Sequence, residues 1–140
     1  MNPVTAYRFI TANEFAVVGA STDRSKYGNR VLRWYQANSL PVIPVNHKES
    51  AVESIPAIAS IDKLKDPSKS AISIITPPKV TLQVLKQAKE LGIEKIWLQP
   101  GAEDKDVMDY AREAGLDIIA GGPCILVQGP SLMTHRSASL

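Results

Sequence analysis

The sequence has one cysteine, Cys124, so no internal disulfide can form and a reducing compartment suits the chain. No apolar run approaches the ~18 residues that a membrane span needs. No charge of one sign dominates: 16 Lys and Arg stand against 14 Asp and Glu, a net +2. That is too mild for a nucleic-acid surface, which would need basic residues massed on one face. Residues 1–14 lack the apolar core of a secretory signal. With two histidines, His47 and His135, and the single cysteine, the sequence shows no metal-ligand spacing and no Cys-His neighbourhood. Paired carboxylates for acid-base work are missing too. The expectation is a cytoplasmic protein with neither membrane nor nucleic acid as partner, no metal site and no assigned catalytic residue.

Glycine is also sparse where a dinucleotide fold uses it most. The G-x-G-x-x-G fingerprint is incomplete: after Gly19, Ser21 stands at the second glycine position, and the next glycine is Gly28. That lowers the prospect of NAD but leaves a phosphate in play. Phe15 to Val18 is a continuous apolar run, as a strand buried on both faces should be. Gly19 lets the chain turn, and Ala20 and Ser21 keep side chains short, so backbone N–H groups can approach an anion. A helix follows from about Gly28 to Asn38, and its dipole adds roughly half a positive charge at its start. Arg24, Lys26 and Arg30 add full charges. A plain strand-to-helix loop with solvated basic residues fits the same stretch.

The 140 residues as a whole, 44% hydrophobic and 21% charged, read as one α/β domain. A short helix is expected at 5–10. Further strands are expected at 42–45, 71–75, 95–98 and 117–120, with helices opening at Pro77-Pro78 and running over 103–114. Val80, Val84, Ala88 and Leu91 recur as an inward stripe would. Gly92 and Gly115 stand where left-handed helix caps belong. Pro44 suits an edge strand, and Trp97, on a strand, suits the core. Residues 130–140 read as a polar tail beyond a core at about 12–127.

Strands alternating with helices imply a Rossmann-like three-layer αβα fold with a five-stranded parallel sheet. The expected strand order is 3-2-1-4-5, with the ligand outside the carboxyl ends, at the switch between strands one and four. The candidates are therefore Val18, Gly19, Ala20 and Ser21 after strand one, followed by Arg24, Lys26, Tyr27 and Gly28. After strand two come Asn46, His47 and Lys48; after strand three, Thr76, Pro77 and Pro78; after strand four, Leu98, Gln99 and Pro100; after strand five, Cys124. An NAD site wants a carboxylate after strand two. Asn46-His47-Lys48 instead favours a ribose carrying its own phosphate, as in NADP or coenzyme A. A solvated loop is the competing reading there. Tyr27 either covers a ligand or caps the loop, and Cys124 is either an inert thiol or a ligand contact.

Five segments carry a resemblance: Val17-Val-Gly-Ala-Ser21, Tyr27-Gly-Asn-Arg-Val-Leu32, Val42-Ile-Pro-Val-Asn46, Thr76-Pro-Pro78 and Ile96-Trp-Leu-Gln-Pro-Gly101. Together they resemble the small CoA-binding domain family. That family is similar to the N-terminal domain of the succinyl-CoA synthetase α subunit. The resemblance implies CoA phosphate at Val18–Ser21, with further contacts from Lys48, from Leu98–Pro100 and from Gly122-Pro123-Cys124. Many small members read Asp-Arg-Cys-Pro at that last turn, and this chain departs from them. The synthetase's phosphohistidine domain has no counterpart, so the resemblance implies CoA or acyl-CoA binding and not the ligase reaction. Two other readings remain: an NADP-dependent oxidoreductase, and a non-catalytic subunit of an acyl-CoA ligase complex. The CoA-binding reading accommodates a homodimer or a partner subunit.

Overall fold

The structure is a computed structural model and describes residues 1–139. Its main sheet is five-stranded and parallel: β1 (Glu14–Val18), β2 (Val42–Val45), β5 (Ser70–Ile74), β6 (Lys95–Leu98) and β7 (Ile118–Ile119). A small hairpin, β3 (Ala51–Val52) with β4 (Ile55–Pro56), lies between β2 and β5. The helices are α1 (Pro3–Ile10), α2 (Tyr27–Ala37), α3 (Pro78–Leu91), α4 (Lys105–Glu113) and α5 (Ile125–Ser139). Among the described residues no helix is long and apolar enough to cross a membrane.

The fold is the expected layered α/β sheet, but its order is β2-β1-β5-β6-β7. In the numbering of the expected strands this is 2-1-3-4-5, a correction of 3-2-1-4-5. The third parallel strand pairs directly with β1, from Glu14↔Ser70 to Val18↔Ile74. The reason lies in which face each crossover covers. Val31, Leu32 and Tyr35 of α2 pack on one face with Phe15 and Val17. Ile61 and Leu64, in the β2–β5 connection, pack on the other with Ala16, Val18, Ile72 and Leu85. Crossovers are right-handed. A link on the opposite face from α2 therefore carries the chain back past β1. The switch point accordingly falls between β1 and β5 rather than between strands one and four.

Several local expectations hold. Pro44 is on edge strand β2, whose outer side is partly paired by Ile58 through Asn46 N–H to Ile58 O at 2.9 Å. Gly92 and Gly115 have φ of 75° and 70°. Trp97 is fully buried, and its indole N–H donates to Pro123 O at 2.9 Å.

Two expectations fail. The inward stripe of α3 is Thr81, Leu85 and Ala88, while Val80 is 47% exposed. Thr81 can be buried because its hydroxyl is bonded to Thr76 Oγ1 at 2.7 Å and reaches the Thr76 and Pro77 carbonyls at 3.2 Å. The polar tail at 130–140 is instead the body of α5 as far as Ser139, and Leu140 lies outside the described residues. Leu132 is buried in the α1–α2 face. Arg136 donates to Ile10 O and Ala12 O, each at 2.9 Å, so it satisfies carbonyls at the end of α1. Arg136→Ala should destabilise the protein by about 1–3 kcal/mol, read as a lowered Tm in thermal unfolding. An unchanged Tm would mean that α5 is not anchored through this contact.

Candidate functional site

The carboxyl ends of β1, β2 and β5 border a cavity of about 420 Å³. That is within the roughly 300–1,000 Å³ typical of small-molecule pockets. Val18, Gly19 and Ala20 form one side, Asn46, His47 and Lys48 another, and Thr76 and Pro77 a third. Eight of the expected site residues thus come together. The sequence reading missed the fourth wall: Ala59, Ser60 and Ile61 from the β2–β5 connection, with Val80, Val84 and Gln87 from α3. Its only sequence signal was the lack of a full helix between strands two and three.

The turn after β1 is held by backbone constraints. Gly19 has φ of +97°, and a Cβ there would lie 2.6 Å from the Ile75 carbonyl oxygen. A Cβ at Gly28 would overlap the Gly19 carbonyl oxygen, so the first turn of α2 rests directly on this loop. Asn46 then ties β2 to β1. Its Nδ2 donates to Ala20 O at 2.9 Å, and its Oδ1 accepts from Lys48 N–H at 2.8 Å and Glu49 N–H at 3.0 Å. Asn46 therefore shapes the rim, while the exposed side chains of His47 and Lys48 stand at its mouth. Among the described residues, Lys48 makes no ion pair.

The other basic candidates sit apart from the cavity. Arg24 Nε is 3.5 Å from Glu53 Oε1, so the exposed arginine is paired with a half-buried carboxylate away from the cavity. Asn29 Nδ2 joins Ser21 O at 2.9 Å to Glu53 Oε2 at 3.1 Å, so Glu53 closes the outer side of the loop. Ser21 Oγ accepts the Asp23 N–H at 3.0 Å, which folds the loop on itself. Lys26 caps α2 from an exposed position, and Pro78 begins α3. Leu98 is wholly in the core and Pro100 is exposed.

Tyr27, Gln99 and Cys124 form a second cluster on the β6–β7 side. The Tyr27 hydroxyl donates to Gln99 Oε1 at 3.1 Å and lies 2.6 Å from Cys124 Sγ. Gln99 Oε1 also accepts from Ile125 N–H at 3.0 Å, and its Nε2 donates to Ser73 Oγ at 3.3 Å. Ser73 Oγ in turn meets the Tyr35 hydroxyl at 2.7 Å. Gln99 is fully buried and its amide is satisfied by protein groups. It is the hub that pins the start of α5 to β6. Among the described residues no three His, Cys, Asp or Glu side chains gather as metal ligands.

Burial, with the Cys124 contact, pushes the Tyr27 phenol well above its ordinary pKa. Burial does the same to Tyr35, partly offset by the Ser73 hydrogen bond. Both phenols are held neutral in the fold, whereas in the unfolded chain they ionise near pH 10. The stability this confers is complete below that pH and is lost as pH rises beyond it. Denaturant unfolding should therefore show stability falling above about pH 10, and Tyr35→Phe should flatten part of that fall. A pH dependence unaltered by Tyr35→Phe would contradict the buried network.

Known proteins share this fold. A family model described as CoA binding domain matches residues 13–130. A conserved hypothetical protein from Pyrococcus furiosus is 38% identical, with a TM-score of 0.76, over 83% of this chain and 98% of that one. A hypothetical protein from Pyrococcus horikoshii OT3 is 25% identical, with a TM-score of 0.83, over 95% of this chain and 93% of that one. A Thermus thermophilus protein is 28% identical, with a TM-score of 0.78, over 94% and 99% of the two chains. No curated protein matches. With the family match spanning β1 to α5, and with solved relatives of nearly the same length and fold, the chain belongs to the CoA-binding domain family.

Proposed function

We propose that this protein binds CoA or an acyl-CoA in the cavity at the β1/β5 switch point, without catalysis of its own. The observation that carries the reading is the convergence there of the Gly19 turn, the His47-Lys48 rim and the apolar wall of Ile61, Val80 and Val84. Each part suits one part of the ligand. The apolar wall suits the adenine ring. The Lys48 ammonium and the His47 ring at the mouth suit the ribose 3′-phosphate. The Gly19–Ser21 backbone suits the pyrophosphate, because no side chain blocks its N–H groups. The pantetheine arm would then run along the carboxyl edge of β5 and β6 toward Tyr27 and Cys124. The shorter loop of a three-glycine NAD site is not present, and Asn46, His47 and Lys48 rather than a carboxylate stand directly after β2.

The proposal extends to a cytoplasmic setting and to a role like the CoA-holding domain of succinyl-CoA synthetase. A second copy or a partner subunit could supply chemistry that this chain leaves out. An NADP-dependent reading shares the Lys48 rim, because a 2′-phosphate asks for the same cation. It gains nothing from the β6–β7 side, where Tyr27, Gln99 and Cys124 are bonded among themselves.

Calorimetric titration with CoA, dephospho-CoA, NAD and NADP separates these readings. CoA should bind most tightly, and dephospho-CoA about tenfold more weakly, one charge-assisted contact's worth. Lys48→Ala should weaken CoA by a similar factor and remove the preference for the 3′-phosphate. NADP binding more tightly than CoA would overturn the proposal, as would indifference of CoA to the 3′-phosphate and to Lys48.

A further inference from the structure

Helix α3 lends three side chains to the cavity: Val80, Val84 and Gln87. Their spacing of i, i+4 and i+7 sets them in one line along the helix. At 1.5 Å per residue the line is about 10 Å long, close to the reach of a nucleoside from ribose to the far edge of its base. The line is distinct from the inward face of α3, where Thr81, Leu85 and Ala88 are buried. Val80 neighbours Pro77 at the start of the helix, and Gln87 lies two turns farther down, half-buried. Across from them stands Ile61, fully buried against the sheet. The cavity is therefore a slot with apolar sides and a primary amide along its helical wall. The Gln87 amide makes no hydrogen bond with other described residues, unlike the fully bonded amides of Asn46 and Gln99.

We infer that Gln87 is the residue that reads the base of the bound nucleotide, through the amino edge of a 6-aminopurine. The inference rests on the reading of this cavity as the CoA site and adds its base specificity. A primary amide offers an acceptor and a donor side by side. Adenine offers the complementary pair, its N6 hydrogens beside a ring nitrogen, on either of two edges. A ring held beside Ile61 and Val84 would turn that edge toward Gln87, which lines the same cavity. Ser60 does not compete for this role, because its hydroxyl is bonded to Asp62. Neither does Thr76, whose hydroxyl is bonded to Thr81. The rim side chains His47 and Lys48 belong to the ribose and phosphate end.

The test uses the full chain, the Gln87→Leu variant and four probes: CoA, dephospho-CoA, 1,N6-etheno-CoA and adenosine 3′,5′-bisphosphate. The etheno bridge removes both hydrogens from N6. Native protein should bind CoA about tenfold more tightly than etheno-CoA. Gln87→Leu should lose about tenfold for CoA and for the bisphosphate, and should bind CoA and etheno-CoA alike. Retained selectivity for CoA over dephospho-CoA shows that the variant's site is otherwise intact. Full-strength binding of CoA and the bisphosphate by Gln87→Leu overturns the assignment of Gln87 while leaving the CoA site standing. Binding of the bisphosphate but not CoA, weakened by Gln87→Leu, overturns the CoA reading and keeps the base reader. Binding of neither by the native protein overturns both.

Discussion

Everything about the site follows from how closely three stretches of backbone meet at the end of β1. Gly19 turns with φ of +97° against the carbonyl of Ile75, which follows β5. Gly28, in the first turn of α2, rests on the Gly19 carbonyl with no room for a side chain. Ile75 N–H donates back to Val18 O at 2.8 Å, extending the β1–β5 ladder past its last paired residues. Two glycines thus let a strand, a loop and a helix share a space that a Cβ on either would fill. The open side of this junction is where the cavity lies. Under the proposed reading, a ligand oxygen arriving there would meet backbone, as an anion site at a strand-to-helix turn requires.

Polar groups then hold the rims at fixed positions. Asn46 bonds across from the end of β2 to Ala20, and its side-chain oxygen organises the two residues after His47. Gln99 does the equivalent on the β6 side, joining Tyr27, Ser73 and the start of α5. Both are amides whose donor and acceptor ends are used at once. Such satisfied networks specify one arrangement of the loops, because each member left unbonded would cost the full desolvation of a buried group. Sequence reading took both residues for ligand contacts. The structure shows that both also carry scaffold bonds, while Asn46 still lines the cavity alongside His47, Lys48 and Gln87.

How much was legible depends on what kind of signal each feature leaves. The parallel sheet was readable, because Phe15–Val18 is a continuous apolar run and Ala71–Ile75 is one broken by Ser73, with helices between strands. The glycine turn was readable from a small-residue cluster after a strand. Strand order was not, because a strand buried on both faces carries no mark of which neighbour it takes. Only the face covered by Ile61 and Leu64 decides it, and that is a tertiary fact. The register of α3 misled for a related reason: valine at 80 and 84 outweighed a threonine at 81 that is buried by virtue of its hydrogen bonds. The error concealed the wall of the cavity, since Val80 and Val84, taken for core, line it, while Ala88 is buried as expected. The final helix was missed because Gly129 and Pro130 interrupt its pattern, although Leu132 and Arg136 anchor it.

The most direct measurement of the central claim is a map of amide chemical shifts in isotope-labelled protein as CoA is added. The account predicts the largest changes at Gly19, Ala20, His47, Lys48 and Thr76, with smaller ones along α3 at Val80 and Val84. It predicts silence at the opposite end of the sheet, where Gly92 and Gly115 border a separate cleft of about 270 Å³. Changes concentrated at Gly92, Glu94 and Gly115, with the Gly19 turn unmoved, would contradict it.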